Sequence, residues 1–391
     1  MEKFSRRTNG GRFIPEIDGL RFIAIALVVV YHAEIYTRVK LGTAPSNALG
    51  QLVARLTAHG GFGVAFFFVI SGFILGLPFA KHHLHGSSPV RLKPYFLRRL
   101  TRLEPPYILS LIFCYLGIVL LKSGGPVELR HLVASIFYLH NPIYGPEGVV
   151  NPVAWSLEVE VQFYLLVPLL ARVYAIRQTW LRRSVFAWLA VTVPCLQLFP
   201  FADPAWVGGS IVNYLQYFIA GLVLADIYTV DWREAPRAHP VWDVVWIAGW
   251  CFLGALTEHT PLAKLSYPVV TFVLYIAAFR GTVVRTILRS PLLTAIGGMC
   301  YTIYLLHYPL ISIVGRVTAR LAVRGAYLTT LAVQLPIYVG AILFVSALYF
   351  RAIEQPCMRS DWPSRLKDRI LAMFGLGPES SSSRAVPPDL G

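Results

Sequence analysis

Charge is what this chain has least of. Only 14% of its 391 residues are charged, where a soluble domain carries about 25%. That shortage excludes the solvated surface of an ordinary soluble protein, and a hydrophobic content of 56% excludes a chain too polar to bury a core. Acidic groups are scarcer still, with 20 Asp and Glu against 35 Lys and Arg, a net charge of +15. The excess is spread over short segments between apolar blocks, so no nucleic-acid partner is expected. The five cysteines, Cys114, Cys195, Cys251, Cys300 and Cys357, stand singly and mostly in apolar surroundings. Neither a disulfide framework nor a metal site is expected from them. No repeat of tens of residues and no convincing likeness between the two halves is present, which weighs against a transporter built from inverted repeats.

What the chain has instead is long apolar runs, and its mean hydropathy is +0.58. About 20 residues at ~1.5 Å rise cross a hydrocarbon core of ~30 Å. Blocks of that kind fall at 19–38, 60–79, 106–121, 154–175, 184–200, 208–229, 241–257, 265–280, 292–314 and 327–350. The expectation is an all-α, polytopic bundle of about ten transmembrane helices. With an even number of spans, 26 of the 35 Lys and Arg fall on the side that holds both termini and nine on the other. Positive charge gathers on the cytoplasmic side, so both termini are expected in the cytoplasm. The first span carries Arg21 and His32 and lacks a small-residue cleavage site, so it is not a removable signal. The expected organisation is a basic N-terminus at 1–17, a transmembrane domain at 18–358 and a tail at 359–391. After about residue 375 the tail, "GLGPESSSSRAVPPDLG", is too poor in apolar residues to fold. No soluble domain is expected after the last span.

Ionisable groups inside a bilayer cost free energy and tend to line functional paths. Four stretches carry them or stand beside them. In "GLRFIAIALVVVYH", Arg21 and His32 are eleven positions apart, about three helical turns, which puts them on one face and ~16 Å apart along the axis. They read as a site, or as an interfacial cation and a polar contact between helices. In "RRLTRLEPPY", Arg98, Arg99 and Arg102 precede the third span. Arg99 and Arg102 share a face if the stretch is helical, and the two prolines suit the boundary of the next helix. Clustered guanidiniums suit phosphate capture, or simply anchor the positive side.

"WSLEVEVQFYLLVPLL" sets Glu158 and Glu160 early in an apolar span. Two positions apart they face different ways on a helix, one toward the interior and one toward the external rim. Counting rise from the helix starts brings His32, Glu160 and His307, the last from "YTIYLLHYPL", to a similar depth. The glycine-rich "GGFGVAFFFVISGFILG" contains Ser71, which lacks the setting of a nucleophile, and its glycines are read as permitting close helix approach. "EQP" at Glu354 to Pro356 reads as a helix end. The segment 122–153, rich in turn signals around "HLVASIFYLH", is expected to cover an outward-facing cleft.

With these motifs in this order the sequence resembles the integral-membrane acyltransferase family 3, which includes bacterial O-antigen and exopolysaccharide O-acetylases and macrolide acyltransferases. "DGLRFIAIALVVVYHA", "FFFVISGFIL", "RRLTRLEPPY", "WSLEVEVQFYLLVPLL", "YTIYLLHYPLI" and "EQP" carry the resemblance over nearly the whole stretch from Ile17 to Pro356. It implies that Arg21 and His32 are the family's first-helix pair, that Arg99 and Arg102 are its RxxR pair, and that Glu160 is its glutamate. Glu158 stands where serine is common and Val161 where a second glutamate is common.

The resemblance further implies transfer of an acyl group, acetyl by preference, from cytoplasmic acyl-CoA to a hydroxyl of a sugar, polysaccharide or glycoside. His32 and Glu160 are the expected catalytic pair. Arg21, Arg98, Arg99 and Arg102 are the expected donor-binding set, and Asp18, Ser71, Tyr107, Glu158 and His307 are accessory candidates. Acyl-CoA enters as a substrate, and no tightly bound cofactor is expected. The setting is the lipid bilayer of a bacterial inner membrane. The competing expectation is a proton-coupled transporter or flippase for a polar solute, with His32, Glu160 and His307 as its relay.

Overall fold

A computed structural model describes residues 13–121, 127–145, 148–196, 209–256, 261–323, 325–358 and 362. The expected tail therefore lies outside the described residues except for Trp362, as do residues 1–12 of the basic N-terminus. The described residues form helices joined by turns, without a strand among them. In chain order the helices are α1 Pro15–Ile35, α2 Ala48–Ala58, α3 Phe62–His85, α4 Leu92–Leu121, α5 Leu129–Ile136, α6 His140–Tyr144 and α7 Trp155–Leu170. They continue with α8 Thr179–Leu196, α9 Leu215–Val230, α10 Val241–Ala255, α11 Pro261–Arg280, α12 Val283–Leu288, α13 Pro291–Gly298, α14 Cys300–Val317 and α15 Tyr327–Tyr349. Two π-helical turns extend α1 through Tyr36–Lys40 and α15 through Phe350–Glu354.

Among the described residues each of the ten apolar blocks overlaps a helix, and the block at 292–314 overlaps two. Among the described residues, Pro15–Lys40, Ala48–His85, Leu92–Leu120 and Tyr327–Cys357 are long and apolar enough to cross a membrane, and α13 with α14 makes a fifth span bent by 70°. Apolar helices at Leu215–Val230, Val241–Ala255 and Leu265–Arg280 are shorter. Local chemistry sets several ends. Pro15 opens α1, where a missing N–H costs nothing, and Glu16 and Asp18 meet the positive end of its dipole. Gly86 closes α3 in the left-handed conformation at φ 68°, its N–H returning to the His82 carbonyl.

One expectation changes here. Pro105 and Pro106 do not mark a helix boundary: α4 runs through them from Leu92, so the basic stretch is part of the spanning helix. Helices inside membranes tolerate proline when neighbours support the interrupted turn, and here the hydroxyls of Tyr301 and Tyr349 brace it by donating to the nearby carbonyls of Leu103 (2.8 Å) and Pro106 (2.6 Å).

Packing divides the bundle into two apolar cores. One gathers α3, α7, α9 and α11 around Phe66, Phe73, Phe163 and Phe218; the other gathers α1, α4, α14 and α15 around Val28, Leu111, Leu305 and Ile342. α3 and α9 cross closely, and a Cβ on Gly72 would lie 2.1 Å from the Phe218 carbonyl oxygen and one on Gly221 2.2 Å from that of Val69. Small residues let the backbones meet there. The break at Met299 brings α13 onto the start of α1, where a Cβ on Gly297 would lie 1.8 Å from the Asp18 carbonyl oxygen. Both sides of the site are positioned by these contacts.

Candidate functional site

The unbroken α1 keeps Arg21 and His32 on one face, three turns apart. The imidazole of His32 faces α14 and not the lipid: its ring centroid lies 5.0 Å from that of His307 and 5.4 Å from that of Tyr308. His307 is fully buried. Its Nδ1 sits 2.8 Å from the Tyr304 carbonyl and 3.2 Å from that of Ile303, and its Nε2 sits 3.1 Å from His32 Nδ1.

These contacts fix the tautomers. A carbonyl only accepts, so His307 Nδ1 carries the proton and His307 Nε2 is an acceptor. His32 Nδ1 lies between that acceptor and the Val28 carbonyl at 3.0 Å, so it too must donate. The lone pair of His32 then resides on Nε2, the form of imidazole that takes a proton from an approaching hydroxyl. The hydrogens are deduced from the network of heavy atoms.

Glu160 has partners other than His32. It accepts from Ser71 Oγ at 2.5 Å and bonds Tyr164, while Arg21 and Arg99 act on it electrostatically. Among the described residues, the group that orients His32 is His307, not Glu160. Ser71 spends its hydroxyl on Glu160, in keeping with a positioning role. Glu158 points the other way, as the two-residue offset requires. It is buried, and it accepts the backbone N–H groups of Asn141, at 2.7 Å, and of His140, pinning the loop helix α6. Asn141 completes the clasp by donating to the carbonyls of Trp155 and Gly209. Tyr107 is structural in the same way, donating to the Ser135 carbonyl at 2.9 Å and stacking on Tyr138.

Below Glu160 the guanidiniums gather. Arg21 pairs with Asp18 inside the bundle. Arg99 donates to the Tyr95 carbonyl at 3.0 Å and lies 3.7 Å above the Tyr95 ring and 5.5 Å from the Tyr164 ring, an arrangement that suits its flat, weakly hydrated cation. Arg102 feels both Arg21 and Tyr164, so Arg99 and Arg102 do share a face. Arg98 is exposed and is not brought into this group. Three like charges at such range repel, and an anion relieves them. The α13–α14 break adds the N-terminus of α14 at Cys300, which lies within reach of Arg21 and Arg102. Two of the surface clefts, one beside Glu16, Arg285 and Arg289 and one between Asn47 and Tyr327, are not lined by His32.

Tyr95, Tyr164 and Thr302, which were not singled out in the sequence, complete the site together with Glu354, which was read there only as a helix end; it is buried and accepts from the Thr302 hydroxyl. A carboxylate at the end of an apolar span was the one signal for Glu354.

Comparison with known proteins gives a consistent picture. A family model described as an acyltransferase domain matches residues 14–351. A provisionally named O-acetyltransferase of Staphylococcus aureus strain COL is 26% identical over 378 residues, covering 88% of this chain and 57% of the relative. O-acetyltransferase OatA of Staphylococcus aureus strain NCTC 8325 / PS 47 is 24% identical over 376 residues, with the same coverage. The chain thus spans little more than half the length of these relatives. No solved structure matches it.

Proposed function

Taking as premise that the chain belongs to the acyltransferase-domain family and is an integral membrane protein, we propose that it transfers an acyl group from a CoA thioester to a hydroxyl. The acyl group is acetyl, in line with the names of the relatives. The acceptor is a sugar, a polysaccharide or a glycoside. Donor enters from the cytoplasm of a bacterial cell, and both termini lie on that side of the inner membrane, in line with the bias of Lys and Arg.

The observation that carries this reading is the orientation of His32: Nδ1 engaged by His307 and Val28, Nε2 left as a base, three turns above a guanidinium cluster. Arg21, Arg99 and Arg102 hold the phosphates of the donor, and its pantetheine arm rises along the face of α1. His32 Nε2 takes the proton as the acceptor oxygen forms its bond to the thioester carbonyl carbon. The C–S bond then breaks, and the departing thiolate recovers the proton from the imidazolium. The His307 lone pair steadies that cation through Nδ1–H. Glu160, tied to Ser71 and Tyr164, keeps charge balance between the base and the arginines. Holding both reactants in one dry channel removes much of the entropic barrier of a two-substrate reaction.

The experiment is direct. Purified protein in lipid is given acetyl-CoA and a soluble sugar acceptor, and free CoA is measured beside the esterified product. Both should accumulate in step. A second reading, a proton-coupled carrier or flippase for a polar solute, is favoured by one observation, the 70° break between α13 and α14, since broken helices mark the binding sites of many transporters. Solute flux without either product would support that reading and defeat ours.

A further inference from the structure

Resting on the transferase reading above, we propose that Glu354, from the far end of the chain, is a positioning residue that holds the Arg102 guanidinium ready for a phosphate of the donor. The three arginines of the cluster are anchored unequally. Arg21 has Asp18, and Arg99 has the Tyr95 carbonyl and two aromatic faces. Arg102 makes no hydrogen bond among the described residues, and its Nε is buried without a partner. A half-buried guanidinium with an unpaired Nε is an incomplete arrangement that a phosphate completes with paired N–H···O bonds.

Neighbouring residues of α14 bring Glu354 to this part of α4: Tyr301 donates to the Leu103 carbonyl beside Arg102, and Thr302 donates to Glu354 itself, so the carboxylate attracts the guanidinium that Arg21 repels. Glu354 is only 1% exposed, and a buried carboxylate needs compensation. Its position is built rather than incidental. The π-helical turn Phe350–Glu354 swings the side chain out of the register of α15, as such turns often do at functional sites. The Thr302 hydroxyl of α14 then fixes the carboxylate. Tyr301 and Tyr349 tie α14 and α15 to the Leu103 and Pro106 carbonyls of α4, one and four residues beyond Arg102. These bonds join the three helices beside Arg102.

The test compares acetyl-CoA with acetyl-pantetheine, which carries the same thioester and no phosphate, as donors for the full-length protein in lipid. In Glu354→Gln the KM for acetyl-CoA should rise by roughly tenfold, the scale of one lost charged contact, while kcat stays within about twofold. The preference for acetyl-CoA over acetyl-pantetheine should fall by the same factor, and Glu354→Asp should restore part of it. Thr302→Val, which frees the carboxylate without removing its charge, should move the preference in the same direction by less, and it decides the matter if Glu354→Gln does not fold. A preference equal to that of the unaltered protein, or an equal loss with both thioesters, would overturn the inference. If the unaltered protein used neither thioester, the transferase reading itself would fall.

Discussion

At the residue scale the site depends on two imidazoles in series. His307 is locked by backbone carbonyls, and its lock sets the tautomer of His32. Replacing His307 with Phe removes one of the two acceptors beside His32 Nδ1–H and leaves the Val28 carbonyl, and kcat should fall by roughly tenfold to a hundredfold with the donor KM little changed, within the range of general-base contributions. His307→Gln, which retains an acceptor oxygen, should lose less. Steady-state kinetics of the two variants checks this, and equal losses would argue that His307 only fills space. The sequence placed His32, Glu160 and His307 at one depth, because rise per residue is a fixed quantity. It did not reveal which two would touch. Depth says nothing of azimuth, and azimuth is set by how α1 and α14 pack.

At the scale of elements, hydropathy located every apolar block, because burial in lipid or core demands apolar side chains whatever their neighbours. It missed what depends on direction. The block at 292–314 is two helices meeting at 70°, a bend permitted by Gly297 pressed against Asp18, and hydropathy carries no angle. The basic stretch before the third block is part of α4, whose two prolines do not mark its start, and Glu354, read only as a helix end, lies in a π turn that hydropathy does not show. The α3–α9 crossing makes a prediction of this scale. Gly221→Val places side-chain atoms where the Val69 carbonyl already stands, and overpacking of this kind costs about 1–3 kcal/mol or more. The thermal unfolding midpoint of the purified protein should drop by several degrees, whereas Gly117→Ala on α4, with open space around it, should leave it in place.

For the whole molecule, the proposed transfer makes one demand: the guanidinium cluster must open to the compartment that holds the proposed donor. With an even number of spans, Lys and Arg concentrate on the side of both termini, and Arg21, Arg99 and Arg102 lie in the N-terminal parts of α1 and α4. Reporters fused to either terminus should therefore read out as cytoplasmic, and single cysteines placed at exposed Arg98 and exposed Ile143 should be labelled from opposite sides of sealed vesicles. Labelling of both from one side would dismantle the topology and the donor route with it.

The most direct measurement of the central claim is acyl transfer by His32→Ala in lipid, alongside the unaltered protein, with folding checked by its melting profile. The account predicts a protein that inserts, folds and binds acetyl-CoA yet releases no CoA and esterifies no acceptor. Near-normal transfer by the folded variant would contradict it.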